Sequence, residues 1–371
     1  MSGELSPEQL RSRFEQRVAP YLEDQRSPTT GGRSWPPVLV YTGGQPGAGK
    51  SRANERAAQA RPSLVPVIGD DLRQFHPDYA RLMREDPLSM PAATAHASGQ
   101  WIGMSAEYLR EQRADVLIET TLRSPEAMAA TIAGFREAGY VVELRVVAVP
   151  DAVSRLATVE RYTGQVESTG AGRWTPAAAH DEAYTRAVAT VEGLVLSGAI
   201  DRFVVEDRAG AVLFDRSYFG VRDGGLRTAG REAGIAFEAA RNVDQMTPDA
   251  ANAWLDLARV QIERVKTQGH RDSDLWATIE RICTVDALAV AARAYPQDPA
   301  HMSAVTDALS GALLPAPPAP STGRSATRAS YPQAATQATT RPPQTEPQGR
   351  PQAHHSGPYL PGRGSGTGIG K

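Results

Sequence analysis

The sequence predicts an α/β fold of the P-loop NTPase type, a parallel sheet flanked by helices, with a helical appendage and a disordered tail behind it. Three observations carry this. Residues 44–51 read Gly44-Gln45-Pro46-Gly47-Ala48-Gly49-Lys50-Ser51, a complete phosphate-binding loop directly behind the apolar run Val38-Leu39-Val40-Tyr41. Short apolar runs then alternate with helical stretches, which is the pattern of strands joined by helical crossovers. Finally, acidic residues follow the second run and close the third, at the sheet edge where open α/β sheets bind ligands.

Each fixed position of the loop has a physical reason. Gly44, Gly47 and Gly49 let the backbone curl until its N–H groups converge on phosphate oxygens. Lys50 reaches the outer phosphates, Ser51 offers a hydroxyl to Mg²⁺, and the following helix points its positive end at the anion. A chance match has a probability on the order of one per cent in a chain of this length. The rarity of lysine, found only at Lys50, Lys266 and Lys371, lowers it further. The loop therefore predicts binding of a nucleoside triphosphate.

The elements follow in order. Leu10, Phe14, Val18, Tyr21 and Leu22 have helical spacing, and Ser6-Pro7-Glu8 reads as the cap and first turn of a leading helix from Leu5 to Asp24. A Pro/Gly/Thr-rich link from Ser27 to Pro37 precedes the first strand. Strands are expected at Val38 to Thr42, Leu64 to Ile68, Val116 to Glu119, Val141 to Val149 and Phe203 to Val205, with a short return strand at Ala211 to Phe214. Ser124-Pro125-Glu126 and Thr175-Pro176 each place a hydroxyl before a proline and mark helix starts, the hydroxyl acting as cap. From about Gly224 to Leu314 the strand signals stop, and Trp254, Leu255, Ala258, Ile262 and Val265 repeat with helical periodicity. Beyond Pro315 the chain is dominated by Pro, Ser, Thr, Gln, Gly and Ala, too poor in apolar side chains to offset the entropy of ordering, and is expected to be disordered. The expected division is 1–222, 223–314 and 315–371.

With 371 residues, 41% of them hydrophobic, and a formal charge of −2, the chain can bury a substantial core and has no polyanion-binding character, so nucleic acid is not an expected partner. The single cysteine, Cys283, excludes an internal disulfide framework and a multi-cysteine metal site. No basic start with an apolar stretch opens the chain, and no run of about 18 apolar residues occurs. The expectation is a soluble, cytoplasmic protein without membrane insertion.

Three clusters stand where phosphoryl transfer would need them. Asp70 and Asp71 follow the second strand in Gly69-Asp70-Asp71-Leu72-Arg73. A carboxylate there can take the proton of an attacking hydroxyl or hold a metal through water. Asp71 is read as a helix cap and Asp70 as the functional acid, while His76, locked before Pro77, reads as a turn element. Glu119 ends the third strand in Ile118-Glu119-Thr120-Thr121-Leu122-Arg123. A carboxylate closing a buried strand needs a partner, for which Arg123 is available, or a ligand, and acceptor binding is the preferred reading. The third cluster is Glu160-Arg161-Tyr162, the Gly/Ser-rich stretch from Gly164 to Gly172, and Arg173-Trp174-Thr175-Pro176. Arginines on such a segment can close over the γ-phosphate as charge builds there.

Taken together these residues resemble the zeta-toxin family of kinases. The resemblance rests on the loop from Gly44 to Ser51, Asp70 six residues before His76-Pro77, Ile118-Glu119 with Thr121 and Arg123, Glu160-Arg161-Tyr162, and Arg173 ahead of Thr175-Pro176 and His180-Asp181, and spans roughly Leu5 to Leu213. It implies ATP-dependent phosphorylation of the 3′-hydroxyl of UDP-N-acetylglucosamine, with a cognate epsilon-type antitoxin as partner. It further implies that Lys50 and Ser51 bind ATP and Mg²⁺, that Asp70 is the general base, that Glu119 and Thr121 orient the UDP-amino-sugar acceptor, and that Arg161 and Arg173 hold the triphosphate and stabilise charge during transfer. Arg123 matches a family arginine, with its role open between acceptor contact and support of Glu119. Thr120, where the family often has glycine, and a shorter Arg161–Arg173 segment are departures on the acceptor side. Two alternatives stand beside this reading: a kinase for another acceptor, such as NAD or a drug-like hydroxyl compound, and a nucleotide-gated interaction protein working through its helical region and tail.

Overall fold

Apolar strands rich in Val, Leu and Ile, with both faces covered, dictate a parallel sheet, and the computed structural model has one at its centre. It describes residues 4–26, 36–221 and 223–313. The expected tail and most of the link from Ser27 to Pro37 lie outside the described residues. The strands are β1 (Val38–Gly43), β2 (Leu64–Val67), β3 (Asp115–Thr120), β4 (Val141–Val147), β5 (Arg202–Glu206) and β6 (Val212–Ser217). They lie in the order β2-β3-β1-β4-β5-β6, parallel except for the last, antiparallel pair. All six expected strands are present, and the return strand is β6.

The helices run in chain order: α1 (Pro7–Arg13), α2 (Ala19–Asp24), α3 (Lys50–Ala60), α4 (Gly69–Leu72), α5 (Tyr79–Glu85), α6 (Met90–Ala93), α7 (Ala95–Glu111), α8 (Pro125–Glu137), α9 (Asp151–Thr169), α10 (Ala177–Leu196), α11 (Asp223–Ala240), α12 (Pro248–Thr267), α13 (Ser273–Arg281), α14 (Ala287–Ala294) and α15 (Pro299–Gly311). The leading helix starts on a capping box: Ser6 Oγ accepts from the Gln9 amide and the Gln9 side chain accepts from the Ser6 amide. A π turn at Phe14–Val18 joins α1 to α2, and Leu10, Phe14, Val18 and Leu22 are buried against the sheet's main core.

That core gathers Leu39, Val116, Ile118, Val142, Leu144 and Phe203 with Trp101 of α7, Phe135 of α8 and Phe237 of α11. At about 1.5–3 kcal/mol per fully buried apolar side chain, it is the main force holding the sheet's loops in place. A second core lies apart from it, where α12 to α15 pack on Ala152, Leu156, Val159 and Tyr162 of α9 and enclose Trp174. Cys283 is buried there, and burial pushes its thiol up to about 12, so it is chemically inert.

Several local expectations need correction. Helices do begin after Ser124 and Thr175, but neither hydroxyl caps them. Asp71 lies inside the first turn of α4 and caps nothing, since Ile68 holds the N-cap position. The Gly/Ser-rich stretch after Arg161 is not a loop: α9 continues through Gly164 to Thr169 and ends on Gly170, whose φ of 78° is the left-handed C-terminal cap. A single glycine costs a helix about 1 kcal/mol, too little to stop one whose other face is buried. Arg161 therefore projects from a rigid helix, and only Arg173 lies on an irregular segment.

Candidate active site

The sheet order brings three strand ends side by side, because β3 lies between β2 and β1. Gly43 pairs with Thr120 and Thr42 with Glu119, so Glu119 lies level with the last turn of chain before the phosphate-binding loop. Asp70 follows β2 at the same edge.

The loop is tied to α9. Gln45 Nε2 donates to the Val149 carbonyl and to Ser154 Oγ, both at 3.1 Å. Gly47 has φ 80°, and a Cβ there would stand 2.0 Å from the Ser154 carbonyl oxygen, so only glycine fits. Gly49, with φ 104°, is the N-cap of α3. Among the described residues the Gly47 and Gly49 amides have no protein acceptor. A curled backbone with free amides at a helix N-terminus is an anion cradle. Ala48 is fully buried beneath it with Ala53, Val147 and Val149, Pro46 is half-buried, and Ser51 is exposed on the first turn of α3.

Lys50 folds back on its own loop. Its Nζ donates to the Gly44 carbonyl at 2.9 Å and the Gln45 carbonyl at 3.2 Å, and stands 3.7 Å from the Glu119 carboxylate. Burial pushes the ammonium below its ordinary value; Glu119 and Asp70 counter this, while Arg161 and Arg123 add to it. Lys50 thus feels both carboxylates and two of the three expected arginines.

Asp70 is paired with two arginines. Arg73 Nε lies 2.9 Å and Arg173 NH1 3.4 Å from its carboxylate. Burial would raise its pKa, but the charges of Arg173, Arg73 and Arg161 together win and hold it down to about 2. Arg73 is itself fixed by the Pro91 carbonyl and Thr94 Oγ1. Arg161 donates to Thr175 Oγ1; burial lowers its pKa, Asp70 raises it and Arg173 lowers it.

On the β3 side, Glu119 accepts from Asn54 Nδ2 at 2.8 Å. Its counter-charge is Lys50, where the sequence suggested Arg123. Arg123 instead donates to Thr121 Oγ1 at 3.0 Å and stands 3.6 Å from Glu182. Thr120 Oγ1 accepts the Leu122 amide, holding Leu122 at φ 60°, a conformation costing roughly 1–2 kcal/mol for a side chain of this size. Leu122 is fully buried on Gly43, and its carbonyl accepts from Thr190 of α10, which offsets that strain and fixes Thr121 and Arg123.

Three site residues escaped the sequence reading. Arg73 was legible as the i+3 partner of Asp70 on a helical turn. Asn54 was legible as the residue one turn after Lys50. Arg208 had no local signal. It comes from the turn between β5 and β6 and lies over the loop, its Cγ 3.0 Å from where a Cβ on Gly49 would be. Burial lowers its pKa, and among the described residues it forms no hydrogen bond or ion pair. His76 is structural, its Nδ1 accepting the Asp78 amide. Ser154, His180 and Asp181 are spaced like a nucleophile relay, with contacts of 2.8 and 3.0 Å, but Ser154 is wholly buried and serves Gln45.

The sheet order and this loop define a P-loop fold with an anion cradle facing two carboxylates and several arginines. The zeta toxin family profile matches residues 21–218. The chain belongs to the zeta toxin family. It is 28% identical over 181 residues to Toxin PezT of Streptococcus pneumoniae serotype 4, covering 48% of this chain and 72% of that one. It is 27% identical over 203 residues to Toxin zeta of Enterococcus hirae, covering 54% and 70%. Its fold matches a solved structure of the PezAT chromosomal toxin–antitoxin system of S. pneumoniae with a TM-score of 0.56, at 20% identity, over 71% of this chain and 98% of that one. Among the described residues no helix is long and apolar enough to cross a membrane.

Proposed function

We propose that the protein is an ATP-dependent kinase that phosphorylates the 3′-hydroxyl of UDP-N-acetylglucosamine or a related UDP-amino sugar, acting as a zeta-type toxin restrained by an antitoxin. The observation that supports it most is the convergence of Lys50, Asp70, Glu119, Arg161 and Arg173 at one sheet edge, since simple nucleotide binding needs neither the two acids nor the paired arginines.

The residues fit the donor. The Gly44–Ser51 backbone would cradle its phosphates, and Lys50 would exchange its carbonyl partners for phosphate oxygens. Among the described residues no cluster of acids, histidines or cysteines could hold a metal by itself. Mg²⁺ would therefore arrive with the triphosphate, with Ser51 supplying the protein ligand. Arg161 and Arg173 would neutralise charge on the γ-phosphate, and Arg208 adds a cation beside Gly49.

Asp70 would take the proton of the acceptor hydroxyl as its oxygen bonds to the γ-phosphorus and the bond to the ADP oxygen breaks. A carboxylate with a pKa of about 2 is a poor base. Once Arg173 turns from Asp70 to the triphosphate, its hold on the carboxylate relaxes and the basicity of Asp70 rises. Glu119, held by Asn54, and Thr121, held by Arg123, would orient the acceptor.

The test is incubation of the protein and Mg·ATP with a cell metabolite extract, followed by mass spectrometry for the metabolite that gains one phosphate. A phosphorylated UDP-amino sugar is the expected product. A different phosphorylated metabolite overturns the acceptor, and ATP binding with no phosphorylated product overturns the kinase reading.

A further inference from the structure

We propose that Asp274, on α13 and beyond the stretch matched by the family, is a positioning residue for Arg161 and Arg173, which makes the C-terminal helices part of the transfer site. This rests on the kinase reading above, in which those two arginines hold the γ-phosphate.

After Gly170 the chain runs without helix or strand until α10 begins at Ala177, and Arg173 stands in the middle of this stretch. Its own anchors are few: the Arg173 amide donates to Gln165 Oε1 at 2.8 Å. The firm hold comes from outside. One oxygen of Asp274, Oδ2, accepts from Trp174 Nε1 at 2.7 Å and from the Ala177 amide at 3.0 Å. A single carboxylate thus grips both sides of Thr175-Pro176. It sits in the first turn of α13 and at the start of α10, where two helix N-termini favour negative charge.

The consequence falls on Thr175. It stands directly ahead of Pro176, which holds the N-cap position of α10 and offers no side-chain acceptor. Asp274 accepts the first amide of that helix, Ala177, while Thr175 Oγ1, on the residue before Pro176, accepts Arg161. The Trp174 ring, held by the same carboxylate, meets Tyr162 edge-on at 5.5 Å, beside Arg161 on α9. Asp274 therefore fixes the neighbour of Arg173 on one side and the start of α10 on the other, and so holds in place Thr175, the partner of Arg161, between them.

The test is a set of dissociation constants for Mg·ATPγS and Mg·ADP, measured on the full chain as wild type, D274A, D274N, W174F, R173A and D274A/R173A, with circular dichroism to check folding. Their ratio reports the γ-phosphate alone. R173A is expected to lower the triphosphate preference strongly. D274A should lower it roughly tenfold, as for loss of a charge-assisted hydrogen bond, W174F by less, and D274N, which keeps an acceptor oxygen, least. The double variant should lose less than the sum of the two single losses, because the share acting through Arg173 is removed only once, and its loss beyond R173A is the share acting through Arg161. Folded D274A with the wild-type ratio overturns the proposal; should D274A fail to fold, W174F with the wild-type ratio does so. If R173A itself leaves the ratio unchanged, the role of Arg173 in the kinase reading falls, and this inference with it.

Discussion

Arg173 NH1 stands 3.4 Å from the carboxylate of Asp70, and Arg73 holds the other oxygen at 2.9 Å. The acid proposed as base and an arginine proposed for the γ-phosphate are thus partners in the free protein, and each must release the other before transfer. The first expectation concerns titration. The folded pKa of Asp70 is about 2, below its ordinary 3.8, so its stabilising contribution is complete above 3.8 and is lost as pH falls towards 2. R173A removes the largest lowering charge while burial still raises the group, so the transition should move to higher pH. NMR titration of the Asp70 carboxyl carbon in both proteins measures this; identical midpoints would contradict the pairing.

Substituting the acid itself should affect turnover without affecting the donor. D70N is expected to lower kcat by about 10²–10⁴-fold, the usual range for loss of a general base, with ATP affinity within a few-fold of wild type. An Asp70 that served mainly to hold Mg²⁺ would instead weaken Mg·ATP binding, and calorimetry separates the two.

The donor half was the most legible part of this chain, for a physical reason. The phosphate-binding loop acts through backbone curvature, which eight consecutive residues specify locally, and strand alternation fixes where its edge lies. Asp70 and Glu119 were legible because acids closing apolar runs conflict with burial. What was hidden depends on distant chain segments. Arg208 reaches Gly49 from the turn beyond β5, and Asn54 displaces Arg123 as the hydrogen-bond partner of Glu119 only because α3 lies over β3. Thr175 reads as a cap, but Pro176 holds that position, and the acceptor of the Ala177 amide is Asp274, almost a hundred residues further on. The Gly/Ser-rich composition from Gly164 to Gly172 suggests a segment that can close, but the packing of α9 against α12 outweighs the intrinsic cost of Gly164 and keeps the helix to Thr169.

Arg208 yields a prediction of its own. An arginine that forms no ion pair among the described residues, half-buried over Gly49, should contribute to donor binding and not to the acceptor. R208A should weaken Mg·ATP by roughly tenfold, as for one charge-assisted contact, and leave the acceptor KM unchanged. Equal weakening of both substrates would show that Arg208 supports the loop's shape instead.

The last prediction concerns what joins the C-terminal helices to the rest. Arg155 of α9 is 3% exposed at its side chain and donates from NH1 to both oxygens of Asp286, itself 4% exposed, at 2.9 and 2.8 Å. Its other nitrogen contacts Asp151 at 3.2 Å and Asp181 at 3.0 Å. Removing Arg155 leaves Asp286 buried and uncompensated, at about 3–5 kcal/mol, whereas removing Asp286 leaves Arg155 its contacts with Asp151 and Asp181 and costs less. R155M, which leaves Asp286 unpaired but fills most of the volume, should therefore lower the melting temperature by several degrees or more. D286A should destabilise by less, and the double variant R155M/D286A should recover part of the R155M loss, since no buried charge is then stranded. Additive losses in that cycle, measured by denaturant unfolding, would show that the pair is not coupled and that the second core alone carries the attachment.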